Sequence, residues 1–201
     1  SAHEPQVTDG PGCDELGEPR GLRVVAPHER LHQCPARGVG RSEGALGVGS
    51  SLIYAPANYA STEELIALAR AAGESGGMYI SHMRDEGKGL LTATRELITI
   101  ASQARVPAEI YHLKASGRPN WGKLDSLIAL IDSARAAGLR ITTDMYTYTA
   151  GATGLDAAMP PWVQAGGLEA WIQRLKDPAN RARVIAEMRE RGGPLPALLP
   201  P

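Results

Sequence analysis

Four times between residues 45 and 143 a short apolar run ends in a polar or titratable side chain, and each of the three intervals holds a segment with helical periodicity. The runs are Ala45 to Ile53, Met78 to Ser81, Pro107 to Tyr111 and Leu139 to Thr143. They recur about every thirty residues, the length of one strand–helix unit. Such alternation predicts parallel strands joined by right-handed crossovers, because consecutive parallel strands need a connection that returns the chain to the same edge.

The intervening helices are marked by their ends as well as by their period. Ser61-Thr-Glu-Glu64 reads as a capping box ahead of Leu65, Ile66, Leu68 and Ala69, and Gly76-Gly77 closes that segment. A second helix is expected from about 89 to 103, with Leu90, Thr94, Leu97, Ile98 and Ala101 on one face. A third is expected from about 121 to 137, with Leu124, Leu127, Ile128, Ile131 and Ala134 on one face and Gly138 as its cap. Beyond Leu155 two further segments, 168–175 and 179–191, look helical, and no fifth strand of comparable quality follows.

The ends of the chain read differently. Pro5, Pro11, Pro19, Pro27 and Pro35 interrupt residues 1–41, which predicts an irregular segment, and the Gly- and Pro-rich stretch 192–201 predicts a loose tail. All nine aromatic residues lie between Tyr54 and Trp171. The expected organisation is therefore an irregular 1–41, a partial barrel over 42–191, and a tail.

Composition excludes several classes. The 201 residues carry 22 acidic against 21 basic side chains, a formal charge of -1, so there is no cationic surplus to displace counterions from a nucleic acid. No apolar run reaches the roughly 18 residues that span a bilayer, so no membrane partner is expected. There is also no charged start followed by an apolar stretch of the signal-peptide kind. Two cysteines, Cys13 and Cys34, are too few for a disulfide scaffold, which leaves the cytoplasm as the expected compartment.

The chemistry gathers where the apolar runs stop. Tyr54 follows the first, His82 the second, His112 the third, and Asp144 with Tyr146 the fourth. Each would stand at the carboxyl end of a strand, the face on which parallel barrels and open α/β sheets bind their ligands. His82 and His112 on neighbouring strands could share one divalent metal, zinc first, although a histidine after a strand is also a common structural residue.

Around them the readings stay open. Asp144 either orients an imidazole or caps the following loop, with the second the plainer reading. Lys114 would polarise a carbonyl or bind a carboxylate if the strand continued, and would otherwise be a solvated cation. In His82-Met-Arg-Asp-Glu-Gly87, Asp85 and Glu86 could serve the positive end of the next helix. Gly44-Ala-Leu-Gly-Val-Gly49 lacks the spacing of a dinucleotide fingerprint, and Cys34 with His28 and His32 lacks the second paired motif of a metal cluster.

Taken in order, Gly44-Ala-Leu-Gly, Leu52-Ile-Tyr-Ala-Pro56, Tyr59-Ala60, His82-Met-Arg-Asp-Glu-Gly87, His112-Leu-Lys114 and Asn120-Trp-Gly-Lys123 resemble the N-acyl-D-amino-acid deacylases, or D-aminoacylases, of the amidohydrolase superfamily, over about 42–155. The resemblance implies an α/β fold, part of a (β/α)8 TIM barrel with about four parallel βα units. It implies zinc held by His82 and His112, and a small-molecule substrate, an N-acylated D-amino acid, contacted by Tyr54, Lys114 and Tyr146. The zinc would polarise the amide carbonyl and generate the nucleophile from water, giving a carboxylate and the free amino acid.

Several family features have no counterpart. There is no His-x-His, neither cysteine lies in a family-like segment, and Asp144 falls in the wrong unit to be the terminal-strand aspartate that acts as general base. The competing expectations are a catalytically incomplete partial barrel and a piece of a cyclic amidase of the dihydroorotase or hydantoinase kind. Four strands cannot close a barrel, so self-association through the open edges is expected. The sequence also prompts the expectation of a truncated or misread gene product whose flanks are out of frame.

Overall fold

A computed structural model describes residues 46–148 and 151–190. The expected flanks 1–41 and 192–201, with Cys13, Cys34, His28 and His32, lie outside the described residues.

Strands β1 (Gly47–Ser51), β2 (Met78–His82), β3 (Ala108–Ile110) and β4 (Ile141–Thr143) form one sheet in sequential order. Every neighbouring pair is parallel, with Gly49 opposite Ile80, Ile80 opposite Glu109, and Glu109 opposite Thr142. The crossovers carry α1 (Thr62–Gly73), α2 (Leu90–Ala104) and α3 (Leu124–Ala136), the last preceded by a 3-10 turn over Arg118–Lys123. An unbroken 1-2-3-4 order of parallel strands, each followed by a helix, is the repeating pattern of a (β/α)8 barrel, present as four strands among the described residues.

Local chemistry explains the boundaries. Ser61 and Glu64 exchange side chain–backbone hydrogen bonds as a complete capping box. Gly138, at φ 88°, takes the left-handed conformation that ends α3. Gly47 is required by packing, since a Cβ there would collide with the Met78 backbone across the β1–β2 pair.

Leu65, Ile66, Ala69, Leu97, Ile100, Ala101, Leu127 and Ile131 from the helices pack with Tyr79, Ala108, Ile110 and Ile141 from the strands in one core. The sheet thus buries one face against helices, and alternation turns Ile80, His82 and Glu109 to the other. Ser50, Tyr79 and Ser81 form a polar knot inside the covered side, with Ser50 Oγ 2.6 Å from the Tyr79 hydroxyl and 3.0 Å from Ser81 Oγ.

The expected apolar stripe of α3 is only half buried. Leu127, Ile131 and Ala134 enter the core, but Leu124 and Ile128 remain 42% and 45% exposed. The helix packs on α2, and no further barrel unit covers its other flank among the described residues.

The residues after β4 build a small helical unit. Helices α4 (Pro161–Gln164), α5 (Gly167–Lys176) and α6 (Pro178–Glu190) enclose Val163, Val184 and Met188, flanked by Trp162 and Trp171. Tyr59 ties this unit to the first crossover by donating to the Pro161 carbonyl at 2.8 Å. None of the described helices is long and apolar enough to cross a membrane.

Candidate metal centre

The carboxyl ends of β2 and β3 bring His82 and His112 together, with ring centroids 4.5 Å apart. His82 is the last residue of β2, on the face opposite the buried Tyr79 and Ser81, so its imidazole stands at the rim of the uncovered side. His112 lies just beyond β3 with φ at 36°, a left-handed backbone that only a strongly held non-glycine residue keeps.

Asp144 supplies that hold. Its carboxylate Oδ1 accepts from the His112 backbone N–H in a short hydrogen bond, and its carbonyl accepts from Leu113 N–H at 2.9 Å. It thus acts on the His112 backbone, where its position suggested either orienting an imidazole ring or capping the following loop. A backbone amide freed by the turn after β3 needs an acceptor, and the first side chain past β4 provides it.

A third donor joins the histidines. Glu86, 6% exposed, turns inward from the loop after β2, and its Oε1 lies 3.1 Å from His112 Nδ1 and 3.8 Å from His82 Nε2. His82, Glu86 and His112 each offer a ligand atom within 4.8 Å of the others, a group able to hold a metal ion. The expectation that Glu86 serves the start of the next helix is corrected: α2 begins at Leu90 with Gly89 as its cap and no acidic residue in its first turn. Asp85 accepts from Gly87 N–H at 2.6 Å in a turn.

Glu86 was legible only as one of several charges in a loop, and its burial decides its role. A buried carboxylate needs partners. It finds Lys114 Nζ at 2.7 Å, His112 Nδ1 at 3.1 Å and Ser116 Oγ at 3.4 Å, while Ser116 N–H donates to its carbonyl at 2.7 Å.

The state of His82 follows from its surroundings. Burial lowers its pKa below the ordinary 6.5, more than offsetting the neighbouring Glu86 carboxylate, which acts in the opposite sense. Its Nδ1 is 3.0 Å from the Met83 carbonyl, which can only accept, so the proton of the neutral ring sits on Nδ1. The Nε2 lone pair then faces Glu86 and is free to bind a cation. Two imidazoles with a carboxylate form a donor set that suits zinc and other borderline divalent ions.

The remaining expected residues surround this group. The Tyr54 ring meets His82 edge-on at 5.6 Å, and its hydroxyl lies 2.6 Å from Thr153 Oγ1. The Tyr146 ring is 6.3 Å from that of His112, with Lys114 Nζ 5.5 Å above it. Tyr148, two positions further on, is 79% exposed. Lys114 is held within the cluster rather than solvated, since it also approaches His112 Nδ1 at 2.8 Å.

Two further motifs form the support. Lys123 donates to the Gly87 and Lys88 carbonyls at 3.1 and 2.8 Å and to Asn120 Oδ1 at 2.7 Å, and Asn120 donates to the Ser116 carbonyl at 2.7 Å. The Asn120-Trp-Gly-Lys123 motif therefore ties the loop after β3 to the loop bearing Glu86. Arg84 does the same for the first crossover. It pairs with both oxygens of Glu96 and donates to the carbonyls of Asn58 and Ala60 at 2.8 and 2.9 Å.

No family model matches the chain. The D-aminoacylase of Alcaligenes xylosoxydans xylosoxydans is 39% identical over 114 residues, which are 57% of this chain and 23% of that protein. An N-acyl-D-glutamate deacylase of the same organism is 36% identical over 110 residues, 55% of this chain and 22% of its own length. Among solved structures, a D-aminoacylase said to define a novel subset of amidohydrolases is 39% identical with a TM-score of 0.53, over 55% of this chain and 23% of its own. An N-acyl-D-glutamate deacylase from Bordetella bronchiseptica, complexed with zinc and a phosphonate mimic of the tetrahedral intermediate, is 30% identical with a TM-score of 0.57, over 62% and 27%. The chain thus spans about a quarter of the length of the relatives it matches. In both sequence and fold, the greater part of this chain resembles a segment of the D-aminoacylases and N-acyl-D-amino-acid deacylases of the amidohydrolase superfamily.

Proposed function

We propose that this chain is part of a zinc-dependent hydrolase that cleaves the amide of N-acyl-D-amino acids to a carboxylate and a free D-amino acid. One observation carries the reading: two imidazoles and a buried carboxylate converge at the carboxyl ends of adjacent parallel strands, in a chain whose relatives are named for that reaction. His82, Glu86 and His112 would hold the metal, which when bound supplies a Lewis acid for amide hydrolysis.

The chain's own residues do the rest. His82 keeps its ring neutral and its Nε2 open, because Met83 fixes the proton on Nδ1. Tyr54 and Tyr146 wall the site on the β1 and β4 sides with their rings. Lys114 supplies the cation for the substrate carbonyl or carboxylate. The protein acts on a small molecule, with no nucleic-acid or membrane partner, in the cytoplasm.

The incomplete-barrel reading is favoured by a different observation: Leu124 and Ile128 stay exposed on α3, where a closed barrel would cover them. On that reading the chain binds metal without turnover and associates through its open edges. Zinc content per chain, measured with release of free amino acid from an N-acetyl-D-amino acid, separates the two. Stoichiometric zinc with turnover establishes the hydrolase, and stoichiometric zinc without turnover leaves the metal-binding partial barrel. Loss of zinc in neither His82→Ala nor His112→Ala would show that the ligands lie elsewhere.

A further inference from the structure

Glu86 Oε1 is the point on which three nitrogens converge: Lys114 Nζ at 2.7 Å, His112 Nδ1 at 3.1 Å and His82 Nε2 at 3.8 Å. Lys114 makes the shortest of these contacts, and its Nζ is also 2.8 Å from His112 Nδ1 and 3.1 Å from the His112 carbonyl. Its ammonium therefore touches two of the three donor residues of the metal group. Glu86 is the single carboxylate of that group. An oxygen that gives its charge to an ammonium has less to give a metal, and two cations cannot share so small a space without strong repulsion.

We propose that Lys114 is an internal counter-cation of this centre, competing with a divalent ion for Glu86 and His112, and that metal entry drives its ammonium away from them. The direction of departure is built in, since the Tyr146 ring already lies 5.5 Å from Nζ and offers its face to a displaced cation. The inference rests on His82, Glu86 and His112 being the metal donors. It adds that loading the metal is what releases Lys114 toward substrate, so that an apo site carries no free ammonium to bind an acyl amino acid unproductively.

The test is a zinc titration of the chain and of Lys114→Met and Lys114→Arg, repeated in the Glu86→Gln background. Lys114→Met should bind zinc at least about tenfold more tightly than the unaltered chain, whereas Lys114→Arg, which keeps the cation, should not. The gain should be clearly smaller in the Glu86→Gln background, because the charge on the Glu86 oxygen is no longer contested and only the competition for His112 remains. A gain of equal size in both backgrounds would reduce Lys114 to a distant charge and overturn the proposal. So would equal affinity of the unaltered chain and Lys114→Met.

A second measurement needs no variant. Acylation of Lys114 by an amine reagent, followed by peptide mass spectrometry, should rise when zinc is added to the EDTA-treated chain, and no rise or a fall would also count against displacement. If neither the chain nor Lys114→Met takes up zinc, the metal-centre reading fails and the proposal with it. Binding by the chain with unchanged Lys114 behaviour defeats the proposal alone.

Discussion

Asp144 holds His112 by its backbone: the aspartate carboxylate accepts from the His112 N–H, while the Asp144 carbonyl accepts from Leu113 N–H. Two hydrogen bonds from the end of β4 thus fix the turn that follows β3 and keep His112 at positive φ. A residue that holds only the backbone of this turn sets the direction of one imidazole of the candidate metal group.

Asp144→Ala should therefore weaken zinc binding by about ten- to a hundredfold, the range found when outer partners of metal ligands are removed. Asp144→Asn, whose amide oxygen can still accept from the His112 N–H, should recover most of the loss. Zinc titration of both variants, with circular dichroism to show that the fold is retained, checks this. Equal loss in the two would mean that charge rather than the hydrogen bond matters.

How much of this was legible in the sequence depends on the range of the interaction. Ser61 with Glu64, Gly138 after α3, and the apolar faces of α1 and α2 report local rules, and each stands where the pattern put it. The parallel order followed from alternation alone, and with it the meeting of His82 and His112. Glu86 did not follow, because nothing in His-Met-Arg-Asp-Glu-Gly distinguishes a carboxylate that turns inward from one that stays in water. Its orientation is set by Lys114 and Ser116, about thirty positions away, and such pairings have no local signature. The α3 stripe shows a related limit: periodicity reports which face is apolar but not whether a neighbour exists to cover it.

That contrast gives a prediction about stability. Ile131 is 3% exposed and Ile128 45%, on the same helix and in the same apparent stripe. Ile131→Ala should destabilise the chain by about 2–4 kcal/mol through lost burial and the cavity left behind. Ile128→Ala should cost less than about 1 kcal/mol, as for a partly solvated side chain. Urea denaturation followed by far-ultraviolet circular dichroism distinguishes them. Similar costs would show that α3 is covered on both flanks in solution.

Arg84 joins three pieces of chain that bear on Tyr54. Its guanidinium pairs with Glu96 on α2 and fixes the carbonyls of Asn58 and Ala60, and the Asn58 N–H in turn donates to the Tyr54 carbonyl at 2.9 Å. Arg84→Ala would leave Glu96, 13% exposed, with Thr62 as its remaining side-chain donor. The expected cost is about 2 kcal/mol, below the figure for a fully buried pair because Arg84 is itself partly solvated. Arg84→Lys should restore only part, since one ammonium cannot reproduce a planar fork serving two carbonyls and a carboxylate. Chemical denaturation measures the cost, and full recovery with lysine would rule out the fork geometry as its source.

Acid should expose the burial of His82. Its pKa lies below the ordinary 6.5 because burial disfavours the charged ring, so above that value both the folded and the unfolded chain carry it neutral and it contributes no pH dependence. As the pH falls below 6.5, the unfolded chain takes up the proton first, and the folded state loses stability until its own His82 titrates. The EDTA-treated chain should accordingly show a melting temperature that drops between about pH 6.5 and 5. His82→Gln, which has no ring to protonate, should drop less over the same interval. The EDTA treatment is essential, because any ion bound to Nε2 would hold the ring unprotonated and shift the loss to lower pH. If the unaltered chain and His82→Gln melt with the same pH slope, then His82 titrates normally in the folded protein and its imidazole is not desolvated as its position at the end of β2 requires.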